Sequence, residues 1–449
     1  MSPNRPCAFR AALGGTLLLL AMPAQAYIDP GTGSALLYVV SGVVVSLYFT
    51  IRGFYYRIID VLLRARFRDQ RCEIAVHGED PRYETTFLPI LRRLAAQGMQ
   101  ATYFTMYRRD DTYSPLPDGI THREIPAGMI GYAYLNNLQA MLLVTTTPQL
   151  DVMTFRRSRR VRHYSIVSHA LGESRYVRPY AYDYYDSVLC CGPTLKANIR
   201  RMEATRGLPA KQLLETGIPH YEELLRRAAD APPLDAEPVV LVAPSWGPLS
   251  MFEAFGTDFV AAIARKYKVI VRPHPQMKLS QPALYQRILS IEGVTVDTAQ
   301  SPSGAMSRAH ILLSDISGIT HEFAFIYGRP VVIIDRKQVQ GGLEGEVLGG
   351  DSDLKEHCRA FIVPIDPKEI DNVTDHLARA LDSHAGDLIR EARDSLIYNF
   401  AAGAEVAARQ LGELYLAEKQ LLEQGRAPSP SRWIGRLARM RNASARVGS

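Results

Sequence analysis

Two doubly wound, Rossmann-like α/β domains behind an N-terminal membrane segment are the architecture this sequence predicts. Three observations carry that expectation. From about Cys72 onward, apolar runs of strand length alternate with helical stretches, the pattern of a parallel sheet covered by helices. A proline-rich stretch without periodicity, "ADAPPLDAEP" (229–238), interrupts the alternation, which then restarts, so a linker separates two units. Two apolar runs precede both units. A chain of 449 residues also exceeds one ordinary core.

The first apolar run, "AALGGTLLLLAMPAQA", follows Arg5 and Arg10 and ends in Ala24-Gln25-Ala26. A basic start, an apolar middle and a small-x-small end predict a signal peptide over 1–26. After the turn-rich "YIDPGTGS" comes "ALLYVVSGVVVSLYFTI", Ala35 to Ile51, uncharged throughout and at the lower limit for a membrane span, so 34–52 reads as a transmembrane helix. Arg52, Arg57, Arg64, Arg66, Arg68 and Arg71 follow. Arginines just beyond a span favour the cytoplasmic side. The expectation is an inner-membrane protein whose soluble body faces the cytoplasm.

In the first unit, 72–228, "EIAVHGE", "QATYFTMY", "AMLLVTTTP", "HYSIVSHA" and "YDSVLCCGP" read as strands, and "TTFLPILRRLAAQG" as a helix closing on Gly98. In the second, 238–424, the strands are "VVLVAPSWG", "KVIVRPHP", "GVTVDT", "AHILLSDISG" and "PVVIIDR", with "FIVPID" at an edge. "MFEAFGTDFVAAIARKY" reads as one helix, and the stretch from Glu391 to Gln424 as one or two. The remainder, 425–449, is a basic tail read as disordered. It holds six arginines and no acid, which equals the whole net charge of +6. The rest of the chain is therefore neutral, which argues against a nucleic-acid partner. Five cysteines, an odd number, match no zinc or redox spacing. Adjacent Cys190 and Cys191 read as core filler.

In open α/β sheets ligands bind beyond the carboxyl ends of strands, so the residues just after strands are the candidates. In the second unit these are Ser245, in "APSWG"; Arg272 and His274, in "RPHP"; and Ser314, Asp315, Ser317 and Gly318, in "SDISG", followed by a helix with Thr320, His321 and Glu322. Pro273 and Pro275 hold Arg272 and His274 extended, which aims a guanidinium and an imidazole out of a strand end. A guanidinium clamps phosphate; an imidazole donates to it or moves a proton near neutral pH. The small-residue loop after Ser314 feeds a helix N-terminus, an anion site. No GxxxxGKS/T run is present, so the expected guest is a phosphate ester or diphosphate, not a triphosphate in a P-loop. "HEFAF" lacks the HExxH spacing of zinc proteases. In the first unit His169 follows a strand in "VSHALGE", and Gly217, Pro219, His220 and Glu222 form a turn in "ETGIPHYEEL". The run Arg156, Arg157, Arg159, Arg160 and Arg162 is either a phosphate or headgroup site or a solvated strand face.

"VAPSWG", "RPHP", "SDISGITHEFAFIYGRPVVIID" and "ETGIPHYEEL" together resemble the CDP-glycerol glycerophosphotransferase family, the teichoic acid primases and polymerases with a GT-B fold. The resemblance covers about Ser165 to Ile334. Two departures stand out: Gly318 replaces a family serine, and of the family's Trp-His-Gly-Thr block only His169 survives. The resemblance implies transfer of glycerol phosphate from CDP-glycerol to the hydroxyl of a polyol-phosphate or lipid-linked acceptor at the membrane, with CMP released. It implies catalytic roles for His169, as general base, and His274. Donor binding falls to Arg272, Ser245, Ser314, Asp315, Ser317, Gly318, Thr320 and Glu322. No DxD-type motif is evident, so no metal and no other cofactor is expected. The alternatives are a GT-B glycosyltransferase using a nucleotide sugar, or an inactive, membrane-tethered nucleotide-binding protein.

Overall fold

The structure is a computed structural model. It describes residues 39–48, 50–51, 54–55, 58 and 71–426, except 112, 172–173, 249, 300, 316, 336–342, 350–357, 359–360 and 384. The chain divides into two units, Met1–Leu62 and Leu63–Ser449. In the first, 39–48 is helical, and Val40, Val43, Val44 and Leu47 are all more than half exposed. Among the described residues no helix is long and apolar enough to cross a membrane. The expected signal peptide, the start of the expected span and the basic tail beyond Arg426 lie outside the described residues.

The second unit holds two parallel sheets. The first has the order β3-β2-β1-β4-β5-β6-β7, from β1 (Arg71–Gly78), β2 (Ala101–Thr105), β3 (Ile120–Glu124), β4 (Gln139–Thr145), β5 (Val161–Val167), β6 (Ser187–Cys190) and β7 (Gln212–Glu215). The second has the order β10-β9-β8-β11-β12-β13, from β8 (Val239–Ala243), β9 (Lys268–Val271), β10 (Thr295–Val296), β11 (Ile311–Ser314), β12 (Val331–Ile334) and β13 (Ile362–Ile365). Each order reverses once, between β1 and β4 and between β8 and β11, so each sheet opens a crevice at that point. Central strands are buried along their length: every residue of β5, β8 and β11 is inaccessible, as expected where helices cover both faces.

Strand β5 buries polar side chains and satisfies them. Arg162 Nε donates to Glu418 at 3.1 Å, His163 Nε2 meets Ser187 Oγ at 2.9 Å, and Ser165 and Ser187 hydroxyls lie 2.6 Å apart. Arg157 pairs with Asp186 at 2.5 Å and lies over the Tyr164 ring. Two members of the arginine run therefore hold the fold together instead of waiting on solvent.

Three expectations about elements are corrected. The helix expected over 251–267 is two, Met251–Phe255 and Asp258–Ala264, because Gly256 at φ +68° breaks it. Strand β3 was not expected, while β7 is the strand that leads into the Gly217–Pro219 turn; both lie at sheet edges and are largely exposed. The second unit does not keep 238–424 to itself. Helix Gly403–Glu423 returns to the first sheet, where Ala404, Ala407, Ala408, Leu411 and Leu414 share a core with Ile74, Val76, Phe87 and Leu142. The crossing chain presses on two strand ends. A Cβ at Gly217 (φ +87°) would sit 2.1 Å from the Tyr398 carbonyl, and one at Gly192 1.8 Å from that of Leu396. The "TGIP" turn thus has a packing role: it is where the last helices cross.

Candidate active site

The crevice of the second sheet is built on a carboxylate. Asp315, at the end of β11, is buried, and its Oδ1 accepts from Ser245 N at 2.7 Å while Oδ2 accepts from Met251 N at 2.9 Å. It staples the loop after β8 across the switch point. Ser314 Oγ donates to the Ala243 carbonyl at 2.5 Å within the β8–β11 pair. Both groups face inward and set the loop's shape. The loop carries Ser245, whose buried Oγ has no hydrogen-bond partner among the described residues, and Trp246, half exposed with its ring 6.1 Å from the His274 ring. A buried hydroxyl without a partner needs a reason; a ligand atom supplies one.

The "RPHP" element emerges from β9 as expected. Arg272 N extends the ladder to Val242 O at 2.9 Å. Its guanidinium is largely buried and donates to Asp297 Oδ2 at 2.6 Å, so an acid the sequence reading overlooked shares its charge. His274 Nδ1 accepts from Gln276 N at 3.1 Å. A ring nitrogen that accepts carries no proton, so the neutral ring bears its hydrogen on Nε2. Burial pushes this imidazole down to about 4, and the Arg82 and Arg272 cations push the same way. His274 is therefore a neutral Nε2–H donor at physiological pH.

Helix Ile319–Tyr327 starts at Gly318 with no side-chain cap among the described residues; its Thr320 and His321 amides donate to the Ser317 and Gly318 carbonyls at 3.3 Å, so what the helix start offers an anion is the positive end of its dipole. The Thr320 hydroxyl is buried and donates to Ser317 O at 2.8 Å. Glu322 Oε1 lies 3.1 Å from His220 Nε2, so this carboxylate joins the two sheets' helices. Ser317 and Gly318 keep solvent access.

His169, just past β5, packs edge-on against Tyr83, ring centres 4.8 Å apart. It retains solvent access in crowded surroundings, and desolvation pushes it down to about 4, helped by His220 and Arg82 and opposed by Glu322. Arg82 thus acts electrostatically on His169 of the first sheet and on His274 of the second. That cation and Tyr83 were missed in the sequence. They sit in "GEDPRY", beyond the end of β1, in a short 3-10 turn that Asp80 caps by accepting from Arg82 N. The signal was available, since β1 flanks the first sheet's switch point. Among the described residues no cluster of three or more His, Cys, Asp or Glu is placed to hold a metal.

Three histidines are depressed by burial: His77 to about 3, and His274 and His321 to about 4. An unfolded histidine titrates near 6.5. Between pH 6.5 and 4 the unfolded chain takes up protons that the native chain refuses, so stability falls as pH falls through that window and is complete above it. Thermal unfolding from pH 7 to 4.5 is expected to show a steady loss, shallower in His274→Asn. Constant or rising stability toward pH 4.5 would contradict these burial assignments.

Two parallel, doubly wound sheets in one unit, joined by the His220–Glu322 contact, make a GT-B-like architecture. Solved structures of the wall teichoic acid polymerase TagF share it. One superposes with a TM-score of 0.53 at 12% identity, covering 83% of this chain and 99% of that one. A histidine-to-alanine variant of TagF gives 0.51 at 13% identity over 88% and 99%. A histidine-to-asparagine variant soaked with CDPG gives 0.51 at 12% over 83% and 99%. No protein-family model matches the sequence, and no curated protein matches it. The likeness is one of fold, and it falls on a teichoic acid polymerase, the type of protein whose motifs this sequence resembles.

Proposed function

We propose that this protein is a membrane-associated transferase that moves glycerol phosphate from CDP-glycerol to a hydroxyl of a polymer or lipid-linked acceptor, releasing CMP, with its body on the cytoplasmic side of the inner membrane. The observation that carries the reading is the strand-end pair at the second sheet's switch point: Arg272 and His274 emerge together from β9, and the His274 Nδ1 accepts from the Gln276 amide, which leaves Nε2–H to donate. Support also comes from the motif resemblance, the GT-B fold and the exposed apolar helix at 39–48.

The residues suit an in-line phosphoryl transfer, which needs positioning and charge stabilisation more than covalent help. The donor's diphosphate meets the His274 Nε2–H, the Arg82 and Arg272 cations, and the positive end of the helix that starts after Gly318. Ser245 Oγ supplies a further donor, and Trp246 a flat face for a ring. The acceptor oxygen attacks the glycerol-bearing phosphorus. A new P–O bond forms, the bond to the CMP oxygen breaks with its electron pair, and the acceptor's proton passes to neutral His169. The approach of a doubly negative donor raises that imidazole's proton affinity above its empty-site value.

Thermal unfolding of the full chain in detergent tests the donor. A ligand that binds only the native state raises the melting temperature by mass action. CDP-glycerol and CMP are expected to raise it and UDP-sugars to leave it unchanged. A shift with UDP-sugars alone would transfer the protein to the nucleotide-sugar glycosyltransferases; no shift with any cytidine compound would remove the donor assignment.

A further inference from the structure

The cleft uses the carboxyl ends of the strands. The amino ends of the first sheet line another cavity, of about 860 Å³. Arg71 opens β1, Ala101 β2, Ile120 β3 and Gln139 β4, and all four residues line it. So do Arg123, Arg159, Arg160 and Arg162, against one lining carboxylate, Glu73. Arg162 is balanced by Glu418, and Glu73 accepts from the Tyr415 hydroxyl. Arginine charge still exceeds acid in a concave wall, an arrangement that focuses positive potential. The guanidinium fork suits phosphate oxygens.

Both ends of the described body come to this cavity. Arg71 is the first residue of β1, separated only by 59–70 from Ile58 of the exposed apolar segment. At the other end Arg162 Nη2 donates to the Arg426 carbonyl at 3.1 Å, where the six-arginine, acid-free stretch Gly425–Ser449 begins. Among the described residues the lining contains no aromatic ring on which a base would stack, which disfavours a nucleotide.

We infer that this cavity takes the phosphate headgroup of an anionic phospholipid and seats the amino ends of the first sheet on the membrane. The inference rests on the membrane-associated part of the function proposed above, and not on its chemistry. Basic groups near an anionic surface gain by attraction that salt screens.

The test uses the full chain in nanodiscs of phosphatidylcholine, with or without phosphatidylglycerol, read by amide hydrogen exchange. At 71–73, 100–102, 119–123, 139–141 and 159–162, phosphatidylglycerol is expected to slow exchange roughly fivefold, the effect of one arginine held at an anionic surface. Added salt should reverse it, and so should the double variant Arg159→Glu/Arg160→Glu. Amides at the cleft report the variant's folding, and the CMP-induced melting shift is read on the same samples. No slowing with phosphatidylglycerol, in samples that keep the CMP shift, overturns the headgroup site and spares the transferase. Equal slowing by inorganic phosphate in phosphatidylcholine discs makes the ligand free phosphate and overturns the lipid assignment.

Discussion

His274→Ala is expected to lower cytidine-dependent transfer by roughly 10²–10³ in turnover, the usual loss when one preorganised hydrogen-bond donor to a transition-state oxygen is removed. The residue is placed for that role and not for carrying a proton. Its Nδ1 is occupied by the Gln276 amide, and burial keeps it neutral, so Nε2–H is fixed as a donor. Alanine removes that donor and the ring beside Trp246, while Pro273 and Pro275 still hold the backbone. Turnover should collapse with the melting temperature of the empty protein nearly unchanged. Turnover near that of the wild type would end the assignment. His274→Asn separates the two possible roles: an amide can still donate, so partial recovery relative to alanine marks donation, and none marks proton transfer.

Glu344→Ala is expected to cost roughly 3 kcal/mol or more of stability, because it leaves a buried cation short of its partner. Glu344 is fully buried. Arg206 Nη1 donates to its Oε1 at 3.0 Å, and Arg206 Nη2 pairs with Oε2. Tyr180 N also donates to Oε1, at 2.7 Å, and Glu344 N donates back to Val177 O at 3.0 Å. Arg206 turns as well to Asp183, at 2.7 Å. These contacts join the loop before Gly345–Leu348 to the first domain, so the loss should appear as a lower denaturant midpoint and as weaker donor binding across a cleft less firmly held. Glu344→Gln, which preserves shape and acceptor but not charge, should fall between. A loss under about 1 kcal/mol, the level of an exposed pair, would contradict the burial.

Much of this was written locally. Continuous apolar runs such as "VVLVA" and "HILL" announce central strands because parallel strands buried on both faces need nothing else. Edge strands carry no such mark: "ITHRE" of β3 is mostly exposed and polar, and only pairing with β2 makes it a strand. His274 and Ser245 were legible as strand-end residues. Ser314, Asp315, Thr320 and Glu322 stood in the same motif but turn to partners far away in sequence or in the preceding turn. Spacing cannot tell a carboxylate aimed at a ligand from one aimed at Ser245 and Met251 N–H groups.

The order of apolar and turn residues by itself determined two doubly wound sheets and the stiffened Arg272–His274 pair, because backbone sterics and solvent exclusion act over a few residues. Only the tertiary structure decided which charges are spent and which are left. Asp297 takes part of Arg272, His220 takes Glu322, Arg82 reaches across to both catalytic candidates, and the last helix returns to the first sheet. Electrostatic partners and core contacts are chosen by distance in space, and chain order does not encode that distance until the sheets have packed.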